Sequence, residues 1–573
     1  MPIQNTDIAA VFNKVADLLE IQGANPFRVR AYRNAARTVS SLPRNVTDMI
    51  DSGGDLTELA GIGKDLAGKI KEIVETGSLK QLTEIERETP SELDALMKIA
   101  GMGPKRVKAL HQELGVTDLE GLKAAAEAGE IQQLDGFGEK TQQTILEDLQ
   151  KKVGKDTRIK LLEAEQRAGP LVANLKKTKG IKEIIVAGSY RRRKETVGDL
   201  DVLVTCKKGA KVMERFVGYE DVVKVVSQGK TRSTVVLRSG LQVDLRVVPQ
   251  ASYGAALHYF TGSKSHNIAV RKIGVKKGFK INEYGVFKDG ERVAGKTEEE
   301  VYGKVGLPFI EPELREDQGE VEAARADALP ELVRVEDIRG DLHVHTKETD
   351  GHHSLEEMAE AAKDRGYIYL AVTDHSKKVS MARGLNAKRL ARQINAIDRL
   401  NEKLDGIRLL KGIELDILED GSLDLPDDIL KELDLRVCSV HYNRNLSQER
   451  QTERILRAMD NPYFNILAHP TGRLINERDP YDLELERVME GALERGCYLE
   501  INAHPDRLDL SDRYSRMAKE MGLKLAVSTD AHSTTDLDFM RFGLDQARRG
   551  WLEPDDVLNT RDWKALKNLL KRR

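Results

Sequence analysis

Gly188-Ser189-Tyr190-Arg191-Arg192-Arg193-Lys194-Glu195-Thr196-Val197-Gly198-Asp199-Leu200-Asp201 is the stretch on which the reading of this chain turns. Residues 183–187 (EIIVA) read as a strand running into the Gly-Ser turn, and residues 199–205 (DLDVLVT) read as a second strand that opens with two acids. Residues i and i+2 of a strand share a face, so Asp199 and Asp201 point the same way and Leu200 the other. Two carboxylates held that close repel unless a cation lies between them, and hard oxygen ligands suit Mg²⁺ bridging substrate phosphates. The turn at Gly188 and Ser189 offers backbone N–H groups and a hydroxyl to a triphosphate, and Arg192 adds positive charge.

The acid pair alone fits better a strand that begins in solvent after a basic loop. The whole string, however, resembles the nucleotidyltransferase signature of the family X DNA polymerases, the family of DNA polymerase beta: Gly-Ser, a basic pair, then Gly-Asp-x-Asp ending at Gly198, Asp199 and Asp201. The resemblance implies a nucleotide site at Gly188, Ser189, Arg192 and Gly198, with Asp199 and Asp201 as catalytic metal ligands.

At 573 residues the chain is long enough for several domains, each with its own core. Hydrophobic residues make up 40% and charged residues 32%, an ordinary water-compatible composition. No apolar run approaches the roughly 20 residues of a membrane span, and the N-terminus lacks a signal peptide's apolar core. Cys206, Cys438 and Cys497 lie too far apart for a zinc motif or an evident disulfide framework, so a reducing cytoplasm is the expected compartment, with nucleoid association through DNA. A formal net charge of −3 leaves any nucleic-acid footprint to local patches.

Residues 1–150 read as short amphipathic helices punctuated by glycine. Three apolar-Gly-x-Gly turns recur, at Gly61/Gly63, Gly101/Gly103 and Gly136/Gly138, each before a helical stretch. They look like helix-hairpin-helix elements, whose glycines allow a tight turn and expose N–H groups to a DNA phosphate. Residues 1–85 also resemble the small lyase domain of the beta polymerases through Ala31-Tyr32-Arg33-Asn34-Ala35-Ala36, and Lys69 falls where that family carries its Schiff-base lysine. Asp65 stands one helical turn earlier, where those lyases have a second lysine, and an acid there raises the pKa of Lys69. Arg28 remains a candidate for a 5′-phosphate pocket. Residues 86–150 are expected to form the fingers.

Residues 151–250 are expected to form the palm, with further strands at 222–227, 233–237 and 241–248 and a turn at Ser239-Gly240. In the last strand Gln242, Asp244 and Arg246 share a face. By itself Asp244 fits an ion-pair partner of Arg246, whereas the family resemblance makes it the third catalytic carboxylate and metal ligand. Residues 251–310 resemble the family's thumb. Tyr259-Phe260-Thr261-Gly262-Ser263 implies nucleotide contacts at Tyr259, Phe260, Gly262 and Asn267, and Arg271 a DNA contact. Lys264 departs from the aspartate of DNA polymerase beta and resembles the bacterial branch, placing a cation near the nucleotide. Residues 311–337 are acidic, contain Pro312 and Pro330, and read as a linker.

Nine of the twelve histidines lie between residues 343 and 532. Nearly every acid or histidine of interest there ends an apolar run (YLAVT, RLLKGIEL, RVCSV, FNILA, KLAVS), with helical stretches between the runs. Such repeats describe a (β/α) barrel with a metal site at its C-terminal face. Mixed nitrogen and carboxylate donors suit Mn²⁺ or Zn²⁺ better than Mg²⁺. Order and spacing resemble the PHP (polymerase and histidinol phosphatase) domain over residues 338–573. That resemblance implies a three-ion site with the ligands His343, His345, Asp350, His375, Glu414, His441, His469, Asp530 and His532. His504 is extra to the pattern, and His352 and His353 read as loop residues.

The fold expected is therefore multidomain, α+β and α/β: a helical N-terminal region, a nucleotidyltransferase palm and thumb, and a C-terminal PHP barrel. The resemblance implies a monomeric DNA-directed DNA polymerase for gap-filling repair. It would use dNTPs, gapped or nicked DNA and two Mg²⁺ (or Mn²⁺), and carry a metal-dependent 3′–5′ exonuclease and AP endonuclease activity. The rival reading is a nucleotidyltransferase fused to a small-molecule phosphoesterase.

Overall fold

A computed structural model describes the chain from residue 3 to residue 571, apart from residues 4, 43–44, 60, 91–92, 98, 100–101, 135, 153–157 and 207–208. Backbone contacts divide it into two compact units, residues 1–158 with 165–170, and residues 159–164 with 171–573.

The first unit is helical. Helices Asn5–Gln22 and Pro26–Ser41 form an antiparallel pair around Phe12, Val15, Leu19, Tyr32 and Ala36, all buried. The second helix starts where Asn25 accepts from Phe27 N, with proline at its first position, where a missing N–H costs nothing. Helices Lys64–Thr76 and Pro104–Leu114 have Gly63 and Gly103 as N-caps, and Glu139–Lys152 follows Gly138 directly. Each expected hairpin turn therefore opens a helix, with backbone N–H groups at its start. Gly101 lies outside the described residues.

Among the described residues, the two largest sheets lie in the second unit. In the smaller one, β1 (Ile181–Val186), β2 (Asp199–Cys206), β3 (Val222–Gln228), β4 (Arg232–Leu237) and β5 (Gln242–Val248) run in the order β1-β2-β5-β4-β3. All pairings are antiparallel except β2 with β5, which is parallel. Leu200, Val202 and Val204 are buried on one face of β2, while Leu203 faces Ala187, Ala256 and Leu257 on the other side. The helices Tyr253–Thr261, Lys264–Lys276 and Glu298–Val305 follow, packed around Tyr302.

Residues 311–337 do not form the linker that their composition predicts. They contain a 3₁₀ turn at Pro312–Leu314 and a helix at Glu320–Arg325, and they bury Leu314, Val321, Ala324 and Leu332 in the same core as Tyr302 and Trp551. Three of their acids are paired rather than solvated: Glu313 with Arg548 at 2.8 Å, Glu316 with Arg192 at 2.9 Å, and Glu320 with His266 at 2.5 Å.

The larger sheet is wholly parallel and follows sequence order: β6 (Gly340–Val344), β7 (Tyr369–Val372), β8 (Arg408–Asp416), β9 (Leu435–Ser439), β10 (Ile466–Leu467), β11 (Tyr498–Asn502) and β12 (Leu525–Ser528). A bridge from Val344 to Ala531 joins the last strand's exit to the first strand, and His345 N donates to Ala531 O at 2.8 Å. Seven strands thus make a nearly closed barrel, with helices such as Leu355–Asp364 and Ala387–Asn401 on the connections. Ser354 and Glu357 form a capping box on the first of these, and Asn386 caps the second. Among the described residues no helix is long and apolar enough to cross a membrane.

Candidate active sites

The palm acids come together because of one parallel pairing. In the β2–β5 register Asp201 lies opposite Asp244 and Asp199 opposite Gln242, so the three carboxylates share a face and an end of the sheet. Asp199 is exposed and Asp244 buried. The Asp201 carboxyl is pushed up to about 7, first by burial and then by the charges of Asp199 and Asp244. With no cation, such a group takes a proton; a divalent ion among the three removes that cost, so the donor set fits one.

The Gly-Ser turn is built against the same acids. Ala187 N donates to Asp201 O at 2.7 Å. Gly188 has φ +62°, and a Cβ there would lie 2.7 Å from Asp201 Oδ2, so only glycine permits this approach. Arg192, expected at the triphosphate, is engaged within the protein: Nε donates to Glu316 and Nη1 to Thr261 O at 2.8 Å. Arg191 donates to Thr261 Oγ1 and to both oxygens of Glu298. Asn267 donates to Tyr259 O at 2.7 Å, and Arg271 lies 6.0 Å from the Tyr259 ring centre. Phe260 is covered by Arg246 at 4.3 Å. Gly262 approaches Asn267 Oδ1 to where a Cβ would be at 2.7 Å, and Lys264 stands exposed at the start of the next helix. Gly198 immediately precedes β2.

Sequence reasoning missed Thr234, whose hydroxyl donates to Asp244 Oδ1, and Arg232, 3.5 Å from the same oxygen. The signal was available in the alternation of β4, which pairs Thr234 with Asp244. In the helical unit Lys69 Nζ lies 2.5 Å from Asp65 and 5.2 Å from the Tyr32 ring centre. Burial pulls its pKa down, yet the hydrogen bonds to Asp65 and Tyr32 prevail and leave it raised.

All nine expected barrel residues meet at the C-terminal ends of the strands. His345 Nε2 is 3.1 Å from Asp530 Oδ1, and His375 sits 2.7 Å from Glu414 Oε2 and 3.2 Å from Asp350. His469 and His441 approach Glu414 Oε1 at 3.1 and 3.4 Å, and His532 approaches Asp350 at 3.6 Å. His343 Nε2 is 3.6 Å from both Glu414 and Asp530. Three ligand-sized groupings result: His345, Asp350, His375 and His532; His343, His345 and Asp530; and His375, Glu414 and His441. Several inward atoms, including His343 Nε2, both His345 nitrogens and Glu414 Oε2, are buried without a hydrogen-bond partner. Orphaned donor atoms of this kind are what a cation cluster would satisfy. Burial raises the pKa of Glu414, but His375, His441 and His343 outweigh it and hold the carboxyl well below its usual range.

His504 lies outside this cluster, beside Phe539, and accepts from Asp506 N. His352 is exposed, and His353 accepts from Thr534 N. Glu500 was not anticipated, although an acid inside the apolar run Leu499-Glu500-Ile501 was a visible sign.

Comparison with known proteins follows the same division. The helical unit matches a helix-hairpin-helix domain over residues 3–79 and a SAM-like helix-hairpin-helix tandem over 93–151. The rest of the chain matches the DNA polymerase beta palm at 158–261, its thumb at 256–316, and the PHP domain at 341–504. The DNA polymerase/3′-5′ exonuclease PolX of Bacillus subtilis (strain 168) is 39% identical over 570 residues, covering 99% of both chains. The chain belongs to the PolX family. A probable phosphatase of Thermoanaerobacter sp. (strain X514) is 33% identical over 40% of this chain and 94% of its own length. DNA polymerase lambda of Arabidopsis thaliana is 26% identical over 55% of this chain and 62% of its own. The polymerase and PHP domains of this family are metal-dependent, and the barrel groupings described above could hold metal ions.

Proposed function

We propose that this PolX chain is a DNA-directed DNA polymerase that fills short gaps, joined to a 3′–5′ exonuclease in its barrel. The observation that carries the reading is the pairing of Asp201 with Asp244 on parallel strands, beside Asp199 and the Gly188 turn. Asp199, Asp201 and Asp244 would hold two Mg²⁺, or Mn²⁺, which when bound lower the proton affinity of a primer 3′-hydroxyl and offset triphosphate charge. Around them the protein's own groups orient the nucleotide. The Gly188–Ser189 turn presents N–H and hydroxyl donors, Arg192 and Lys264 supply charge, and Tyr259, Phe260, Gly262 and Asn267 form the wall against the sugar and base. Arg271 and the turns at Gly61, Gly63, Gly103, Gly136 and Gly138 would hold gapped or nicked DNA through its backbone.

In the barrel the nine ligands would hold up to three Mn²⁺ or Zn²⁺, which when bound supply Lewis acidity toward a DNA phosphodiester. A role in repair and cleavage at abasic sites belong to the same proposal. The phosphatase likeness of the barrel by itself would suit a small phosphate ester. Similarity to a polymerase/exonuclease along 99% of the chain favours DNA.

The deciding experiment incubates the protein with one-nucleotide-gapped DNA and either Mg²⁺ or Mn²⁺, with and without dNTPs. Templated filling with dNTPs and 3′ shortening without them are expected. Absence of both, together with hydrolysis of a small phosphate monoester, would overturn the reading.

A further inference from the structure

Behind the barrel cluster lies a carboxylate that faces no solvent. Glu500 is fully buried on β11 between Leu499 and Ile501, both in the barrel core. An unpaired carboxylate there would be strongly destabilising, so its partners define its role. Oε1 accepts from His343 Nδ1 at 2.8 Å. Oε2 accepts from the backbone N–H of His469 at 2.7 Å and from Asn502 Nδ2 at 3.1 Å. Asn502, two residues on and on the same face of β11, also donates from Nδ2 to Asp530 Oδ2 at 3.1 Å.

Each partner is one of the nine cluster residues or leads to one. A proton kept on His343 Nδ1 leaves Nε2 as a lone-pair donor, and Nε2 is the atom that is buried, unpartnered and directed at Glu414 and Asp530. His469 has φ +28° and Asp530 φ +56°, both in the left-handed region that L residues seldom adopt. The Glu500 bond to His469 N and the Asn502 bridge to Asp530 hold those two strained ligands in place.

We propose that Glu500, acting with Asn502, is the positioning residue of the barrel's metal centre, fixing the His343 tautomer and anchoring His469 and Asp530. The inference rests on reading the nine-residue cluster as a metal centre. A carboxamide at position 500 keeps the volume but only one acceptor. It can serve His343 or the two N–H donors, not both.

The test measures Mn²⁺ binding to the whole protein by equilibrium dialysis, and the visible spectrum of the Co²⁺-loaded protein. Glu500→Gln should bind Mn²⁺ about 10- to 100-fold more weakly and shift the Co²⁺ bands, while primer extension stays at wild-type rate. Asn502→Ala, which spares the His343 bond, should weaken Mn²⁺ binding by about tenfold or less. A folded Glu500→Gln protein with wild-type Mn²⁺ affinity and Co²⁺ spectrum would overturn the proposal. If Glu500→Gln does not fold, Asn502→Ala decides: weaker Mn²⁺ binding supports the role and wild-type binding refutes it. Should the wild-type protein itself bind no Mn²⁺ at the barrel, with His345→Ala indistinguishable from it, the metal-centre reading falls first.

Discussion

Arg192 and Arg549 share one carboxylate oxygen, Glu316 Oε1, at 2.9 and 3.2 Å, and Arg549 Nη1 also donates to the Arg192 carbonyl at 2.8 Å. Arg549 ends the barrel helix Met540–Arg549, so the turn proposed to hold the triphosphate is tied to the barrel through residues 311–337. Arg193 with Asp545 at 2.9 Å and Glu195 with Arg473 at 2.6 Å extend the tie along the same loop.

Arg549→Ala should therefore disturb both stability and synthesis. It leaves Glu316 and Asp512 short of a buried cation, a loss of about 3 kcal/mol. It also frees the Arg192 backbone, so the KM for dNTPs should rise several-fold, with partial recovery in Arg549→Lys. Steady-state extension on gapped DNA checks this. An unchanged KM in a folded variant would mean the barrel helix does not position Arg192.

Asp199→Asn and Asp201→Asn each remove a ligand from the palm cluster. Nucleotide addition should fall by at least about 10³-fold, the loss of roughly 4 kcal/mol of charge stabilisation. DNA retention in a gel-shift assay should persist, because the hairpin glycines are untouched. Near-normal extension by either variant would remove these acids from catalysis.

His345→Ala, or stripping the barrel with a chelator, should stop shortening of a DNA 3′ end and leave primer extension running in Mg²⁺. Metal analysis should show the barrel ions depleted. Full nuclease activity in the depleted protein would refute the assignment of the cluster.

Glu298 links acid stability to the thumb. Burial pushes its pKa up, but Arg315 and Arg191 outweigh that and bring it from 4.5 to about 2. The folded value lies below the unfolded one, so the ionised carboxylate stabilises the fold above pH 4.5. That contribution fades as pH falls toward 2. The shift corresponds to about 3 kcal/mol. Glu298→Gln should thus be less stable than wild type at pH 7, with the gap closing between pH 4.5 and 2 in urea titrations. A gap that stays constant with pH would assign the loss to packing.

Lys69 should be a poor Schiff-base nucleophile in the wild-type protein because Asp65 keeps it protonated. Borohydride trapping on DNA with a 5′-deoxyribose phosphate should be weak at neutral pH and increase in Asp65→Ala. Efficient trapping by the wild type at Lys69 would contradict this.

The strands and the residues that meet at their ends were legible because each depends on local pattern. Alternation placed β2 and β5, and each residue of the barrel cluster ends or closely follows an apolar run. The Asp65–Lys69 pair was legible from its spacing alone. Residues 311–337 depart from the linker reading because the partners of Glu313, Glu316 and Glu320 lie far away in sequence, at Arg548, Arg192 and His266. Local composition carries no trace of such partners. Thr234 and Glu500 were missed for a related reason: a hydroxyl or an acid on a strand reads as outward-facing until the strand's neighbours are known.

The bridge from Val344 to Ala531 bears on how the protein is made. The palm acids are complete once residue 244 has been synthesised, and their parallel pairing needs no later strand. The barrel cannot close, nor Asp530 and His532 join the cluster, until close to three hundred further residues have followed. A chain abandoned on the ribosome before that point can carry the paired palm acids but not the complete nine-residue cluster of the barrel. The order of translation thus completes the palm cluster long before the barrel cluster.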